Sequence, residues 1–512
     1  MKIANNQSGA GLQAATWASP RALGVLAVML AGLPSGCAWP GEARAPKAAA
    51  AAPADAAGPG ALAAAASAGV IQAVPAPPVR SYPSPPEQIQ SWIDRLDAPR
   101  IRAHAWDVWA SITSPSPYPG VPVWETWYSG HELFELGPAA RTTRRHLRDF
   151  ESARQVSRTA AMPSSPAERP TAFNRYSASV AHYVWDQGLN NSNVLNRIND
   201  EFNRNRTPVA QRQLQTSAGL VDAASVVLKP VFQFVSGNAA TAIPVWTGIS
   251  PAATTNLDNP SAETWRRCVV LDPTREHPPG ATMVMACNAE PPRALPLVSL
   301  RDFYAIRLTA AEAAAFSEFA AVSGDDIGKD NKTDRDSVLA MVKAGNLALL
   351  TAMHVTTKEI NNWTWQTFWW ALDPNDPVSG RDRPAFMPRP WSRYNMGTAY
   401  YMVSPPTRAE GDPLISFNPY LETNLVGTVP GPKVPIKWTG VHSNCMSCHR
   451  MAAWQPAAKP VPGQYGDSPA YRPDGLIDPA DPTLFDGYTK LDFLWSLTRA
   501  QPPLPQASGP RR

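Results

Sequence analysis

The spacing of hydrophobic positions changes character near the middle of the chain. In the first part they recur at three- and four-residue intervals. Ser84-Pro85-Pro86-Glu87 is a helix-start pattern, and Ile89, Trp92, Ile93 and Leu96 follow it at helical spacing. A second amphipathic stretch covers residues 100–112, with Ile101, Ala105, Trp106, Val108 and Trp109, and a third helix is predicted over about 191–203. From about Leu228 the runs become short and β-like, at residues 231–235, 243–246 and 268–271. Residues 303–308 then read as a strand running into a helix, with Thr309-Ala310-Ala311-Glu312 as its capping box. In the stretch 347–372, Leu347, Leu349, Thr351, Met353 and Val355 alternate with their neighbours. Residues 359–362 make a turn, and Trp363, Trp365, Thr367 and Trp369 alternate again, which predicts a β-hairpin with one strongly aromatic face. The expectation is an α+β body over residues 84–430, a mixture of helices and antiparallel β-hairpins.

The two ends do not share this patterning. Lys2 and Arg21 precede the apolar run 23–33, which is too short to span a bilayer comfortably and reads as a secretory signal over residues 1–37. The run ends in Leu33-Pro34-Ser35-Gly36-Cys37, which resembles a bacterial lipoprotein box. Pro34 departs from the aliphatic residue usual three positions before the cysteine, so lipidation of Cys37 stands beside plain cleavage and an uncleaved anchor. Each of the three places the mature chain outside the cytoplasm, in the periplasm, with a lipid anchor where Cys37 is modified. Residues 38–83 read as an Ala/Pro-rich linker and 501–512 as a disordered tail.

Composition constrains this picture in two ways. The 55 prolines and 31 glycines among 512 residues fall short of a wholly disordered chain and fit long connections around a real core. The 46 Lys+Arg against 42 Asp+Glu give no basic surplus, so nucleic acid is not an expected partner.

The densest chemistry is Cys445-Met446-Ser447-Cys448-His449. Two thiols three positions apart reach the two vinyl groups of one porphyrin, and the adjacent imidazole turns a nitrogen onto the iron. Structural zinc would require a second ligand pair nearby, and neither cysteine nor histidine occurs after His449. The expected cofactor is one covalent haem c held by Cys445, Cys448 and His449, with His449 as proximal iron ligand. Cys268 and Cys287 remain, with 18 residues between them, as a disulfide in an oxidising compartment or as two separately buried thiols. The Asp- and Lys-rich segment 324–336 is read as a solvated loop, because Lys332 falls where a calcium loop needs an oxygen ligand.

The stretches around the motif, 444–450, together with 363–369 and 417–422, resemble a family of large bacterial exported mono-haem cytochrome c proteins. The resemblance covers about residues 300–500 and implies haem binding and one-electron transfer, with a redox protein or a small-molecule electron donor or acceptor as partner. It implies no substrate. Residues 488–497 read as an amphipathic helix similar to the C-terminal helix that packs on the motif helix of small cytochromes c, which gives a small C-terminal α-helical haem segment over 431–500.

One departure matters. Met451 is the last methionine and lies too close to His449 to reach the opposite haem face, so the sixth iron position is filled from upstream, by water, or not at all. Met353 and His354 are the first distal candidates, since one of two neighbours in a strand faces inward on either register. Met387, Met396 and Met402 are better read as core, and His442 is too near the motif. The alternative function is a haem-dependent oxidoreductase of peroxidase or oxygenase type with an open distal site, or a haem-based small-ligand binding protein.

Overall fold

The computed structural model describes residues 71–500 apart from 143–169, 215–224, 247–264, 266, 288–289, 323–339, 407, 409–410, 423–425, 430–435, 440–443 and 455–475. Cys37, the leader, the tail and the 324–336 segment lie outside the described residues. No helix among the described residues is long and apolar enough to cross a membrane.

The fold is α+β. Its frame is an eight-stranded sheet whose four long members are Val226–Val235, Leu347–Thr357, Thr364–Trp370 and Tyr394–Thr398, paired antiparallel in that order. Short strands complete it, among them Arg175–Tyr176 beside Val226–Val235 and Ala305–Arg307 beside Leu347–Thr357. The predicted hairpin therefore supplies the middle two of the sheet's four long strands, and both are buried on both faces.

One face carries Leu228, Phe232, Phe234, Met353, Val355, Phe368 and Trp370 into the main core. There the helix Ala98–Ile112 covers it, with Trp109 stacked on Phe368 at 4.3 Å between ring centroids. This helix, together with Pro86–Asp94 and Ser192–Arg204, lies where the spacing predicted. The helix Ala310–Val322 begins with the predicted capping box: Thr309 N–H donates to Glu312 Oε2 at 2.7 Å, and Glu312 N–H donates to Thr309 Oγ1 at 3.2 Å.

The unbroken alternation expected along 347–355 is corrected by a bulge between Leu350 and Ala352. It puts Leu350 and Met353, not Thr351 and Met353, on one face. A second, four-stranded sheet of Thr241–Pro244, Cys268–Leu271, Glu290–Val298 and Thr282–Cys287 contains one parallel pair that hairpin patterning does not anticipate. A disulfide joins Cys268 to Cys287 across it.

Two boundaries move. Residues 71–83, assigned to the linker, form a packed strap: Val74 N–H donates to Thr126 Oγ1 at 2.9 Å, Trp127 Nε1–H to Val74 O at 2.7 Å, and Tyr82 is 2% exposed. Among its described residues the C-terminal segment has only two short α-helices, Cys445–Arg450 and Pro482–Phe485, and does not show the α-helical cytochrome c-like unit expected over 431–500. In place of the helix expected over 488–497 there is a two-residue strand, Thr489–Lys490, paired with Ala453–Trp454, and then a 3-10 turn, Trp495–Arg499. Its described side chains join a core shared with the body. Cys445, Met446, Leu491, Phe493 and Leu494 share one cluster with Val180, Val184 and Trp185 of the body.

Candidate functional site

Residues Cys445–Arg450 form a single short helix. Asn444 fixes its start: Oδ1 accepts from the Ser447 amide at 3.1 Å, while Nδ2 donates to the carbonyls of Met402 at 3.0 Å and Leu414 at 2.7 Å. The cap thereby begins the helix and welds it to the preceding chain. One helical turn brings Cys445, Cys448 and His449 to the same side. Neither thiol is in a disulfide; the first is buried and the second half-buried.

His449 Nδ1 lies 2.8 Å from the carbonyl oxygen of Phe493. A carbonyl only accepts, so Nδ1 carries the proton and Nε2 keeps its lone pair. Burial pushes the imidazole down to about 4, against the opposing bond to Phe493, so the ring is neutral at neutral pH, as a metal ligand must be. Trp365 lies against it, with 4.4 Å between ring centroids.

The opposite wall is the second face of the central sheet. His354 pairs with Lys229 on one side and Thr367 on the other, in one row across three strands. Its Nδ1 is 4.0 Å from Cys445 Sγ, and its Nε2 is 3.5 Å from Glu422 Oε1. Glu422 is anchored in turn. Its Oε2 accepts from the Asn418 amide at 2.5 Å, and Asn418 Nδ2 donates to Thr367 Oγ1 at 2.7 Å and to Phe368 O at 3.1 Å. Burial dominates the electrostatics: it holds His354 well below the usual imidazole range, brings Lys229 down to about 8 and raises Glu422 to about 7. The donor atoms of His354, Glu422 and Cys445 all lie within 4.8 Å of one another.

Of the two distal candidates, the structure brings only His354 to the motif. Met353 is 0% exposed on the other face of the same strand, packed with Phe368 and Val355, and strand alternation prevents it from reaching the motif helix. Met387 and Met396 belong to that far core as well, whereas Met402 packs in the cluster containing Cys445. His442 lies outside the described residues. His104 is engaged elsewhere, with Tyr400 at 2.7 Å and Glu359 at 3.0 Å.

The residues present fit haem c. Two unbridged thiols and a neutral imidazole protonated on Nδ1 share one helical turn, and a second neutral imidazole faces them from the sheet. Cys445, Cys448 and His449 would hold the group and His354 would offer a second nitrogen. Sequence patterning does not reveal Lys229, Glu422 or the Phe493 carbonyl as parts of the site. A signal exists for Lys229, the single charge in the apolar run Val226–Val235, and Glu422 closes the 417–422 stretch. Nothing local marks Phe493. The tryptophan-rich strand splits by face. Trp363 and Trp365 line the motif side, Trp369 packs with Tyr420 and Trp265, and Trp370 stacks on Phe303 in the far core at 4.4 Å. Against known protein families, curated proteins and solved structures, the chain has no match.

Proposed function

We propose that this protein is an exported c-type cytochrome. It carries one haem through thioether bonds from Cys445 and Cys448, with His449 as proximal and His354 as distal iron ligand, and it passes single electrons to or from a redox partner. The observation that carries this reading is the bond from His449 Nδ1–H to the Phe493 carbonyl, which leaves Nε2 available beside two unbridged thiols on one capped helical turn. Haem, when bound, supplies the one-electron chemistry. The chain's residues hold it, exclude water and fix the ligand orientation. Two imidazoles preset on a helix and a sheet strand limit reorganisation between oxidation states, which suits a carrier. Export is supported by the leader-like residues 1–37 and by the Cys268–Cys287 disulfide, a bond rare in reducing compartments. In this reading residues 431–500 are the haem-bearing part of the chain, and a lipid on Cys37 would tether it to a bacterial membrane.

One observation favours a second reading. Lys229 and Glu422 flank His354 in a buried setting where charge is costly, and such groups suit proton delivery at an open distal site. The protein would then be a haem oxidoreductase or a small-ligand binding protein.

Both readings meet one experiment. Protein made with a cytochrome c maturation system should give a haem-stained band on a denaturing gel that Cys448→Ala loses; a colourless wild-type band sinks both. A ferric low-spin spectrum with slow carbon monoxide binding to the ferrous form supports the carrier. Rapid binding moves the second reading to first place.

A further inference from the structure

After the strand Thr489–Lys490 the chain turns through two consecutive left-handed residues, Asp492 at φ 49° and Phe493 at φ 68°. Neither is glycine, and side chains resist this region, so such a pair persists only where its surroundings over-determine it. Here they do. The Asp492 carboxylate accepts from Lys358 Nζ at 2.9 and 2.8 Å and from Trp363 Nε1 at 3.0 Å. Those two donors stand at the two ends of the turn that joins the central strands, and Lys358 Nζ also donates to Asn361 O at 2.9 Å inside it. The Lys358 side chain is 5% exposed and that of Asp492 11%, so the pair is shielded and its geometry definite. Arg450, next to His449, adds a second tie: its guanidinium lies over the Phe493 ring at 5.0 Å, and Nη1 donates to Asn362 Oδ1 at 3.2 Å. The result of these contacts is one main-chain group, the Phe493 carbonyl, aimed at His449 Nδ1.

We propose, on the haem reading above, that Asp492 is a positioning residue for His449: clamped by Lys358 and Trp363, it holds the left-handed turn that points the Phe493 carbonyl at Nδ1. It thereby sets how strongly Nε2 donates to bound iron. A firm acceptor at Nδ1 makes the imidazole a stronger donor, favours the ferric state and lowers the reduction potential. Loosening the clamp raises it.

The test uses the haem-loaded full chain and the variants Asp492→Ala, Asp492→Asn and Lys358→Gln, reading reduction potential and melting temperature. Asp492→Ala and Lys358→Gln should move the equilibrium toward reduced haem, by about tenfold at a fixed applied potential. Asp492→Asn keeps one oxygen acceptor on a residue tolerant of positive φ, so its potential should stay closer to wild type than that of Asp492→Ala. The uncompensated Lys358 ammonium lowers its melting temperature. An unchanged potential with a lowered melting temperature in Asp492→Ala and Lys358→Gln would reduce the clamp to a structural tether and overturn the proposal. Should Asp492→Ala fail to fold, the potential of Lys358→Gln decides the matter with Asp492 in place. A colourless wild-type protein strikes down the haem reading instead. The clamp is then judged on the haem-free chain by the 15N signal of His449 Nδ1, protonated and slow to exchange in wild type, and overturned if Asp492→Ala leaves it so.

Discussion

Lys229 and His354 stand directly opposite each other in the central ladder, on the sheet face that meets the motif helix. Burial alone pushes the imidazole down, and a buried ammonium beside it further discourages a second positive charge. His354 is thus kept in the neutral form that binds metal, in part by a residue on a neighbouring strand that is remote from the motif in sequence.

The two neighbours Met353 and His354 should therefore give opposite results. His354→Ala is expected to convert the ferric protein from low-spin to substantially high-spin and to open the ferrous form to carbon monoxide, with a modest change in melting temperature. Met353→Ala, which empties a fully buried position, should cost about 2–5 kcal/mol of stability and leave the spectrum unchanged. Optical spectra and thermal melts on both variants decide this. A spectral change in Met353→Ala alone would reverse the assignment.

Glu422 gives a pH signature. Its folded value is about 7, raised chiefly by burial, against about 4.3 in an unfolded chain. A carboxyl raised on folding contributes stability that is fully present below the unfolded value and lost as pH climbs through the folded one. In haem-free protein with both motif cysteines changed to alanine, Glu422→Gln should match its parent only near pH 4 and below, where the carboxyl is largely protonated in both the folded and the unfolded chain. By pH 8 it should be more stable, by on the order of 3 kcal/mol. A difference that stays flat between these pH values would mean the carboxyl is not desolvated as described.

Much of the frame is legible in the sequence because its signals are local. Thr309 and Glu312 announce their cap within four residues, the alternation of 363–369 is a strand period, and the C-x-x-C-H spacing carries its own geometry. His354 emerges as half of a pair for the same reason, and only the register could choose between the two. What fails depends on distant partners. The apolar spacing of 488–497 suits a helix, but Thr489 and Lys490 are taken up by a ladder with Ala453–Trp454, and Asp492 and Phe493 are turned left-handed by Lys358 and Trp363 from a remote part of the chain. The bulge at Leu350 and the engagement of Glu422 with His354 are likewise set by partners that no window of sequence contains.

The disulfide should matter to the smaller sheet. Cys268 and Cys287 are 1% and 0% exposed and close a loop of 19 positions, for which the chain-entropy account gives roughly 3 kcal/mol. Replacing both by alanine should lower the melting temperature while leaving haem staining intact. Peptide mapping of the wild type without reductant should recover the two peptides linked. Free alkylation of both thiols under native conditions would contradict the bond.

Asn444 is where fold and cofactor chemistry meet, and the bonds accepted by its Oδ1 can be separated by substitution from those donated by its Nδ2. Asn444→Ala removes the cap of the motif helix, worth about 1 kcal/mol, and also takes its donor from the Leu414 carbonyl, at about 1–3 kcal/mol, while the Met402 carbonyl keeps the Leu414 amide as donor. Asn444→Asp restores the cap acceptor but brings a carboxylate against those two carbonyls. If capping alone mattered, Asp would rescue the helix, since it caps as well as Asn. The two donated bonds lead to the opposite expectation: Asn444→Asp should be at least as unstable as Asn444→Ala, and both should lose most of their covalent haem, because a frayed turn no longer holds Cys445, Cys448 and His449 on one side. Haem-stained gels normalised to protein, with thermal melts alongside, make the comparison. Full haem loading in the Asp variant would show that the motif helix stands without its tie to the preceding chain.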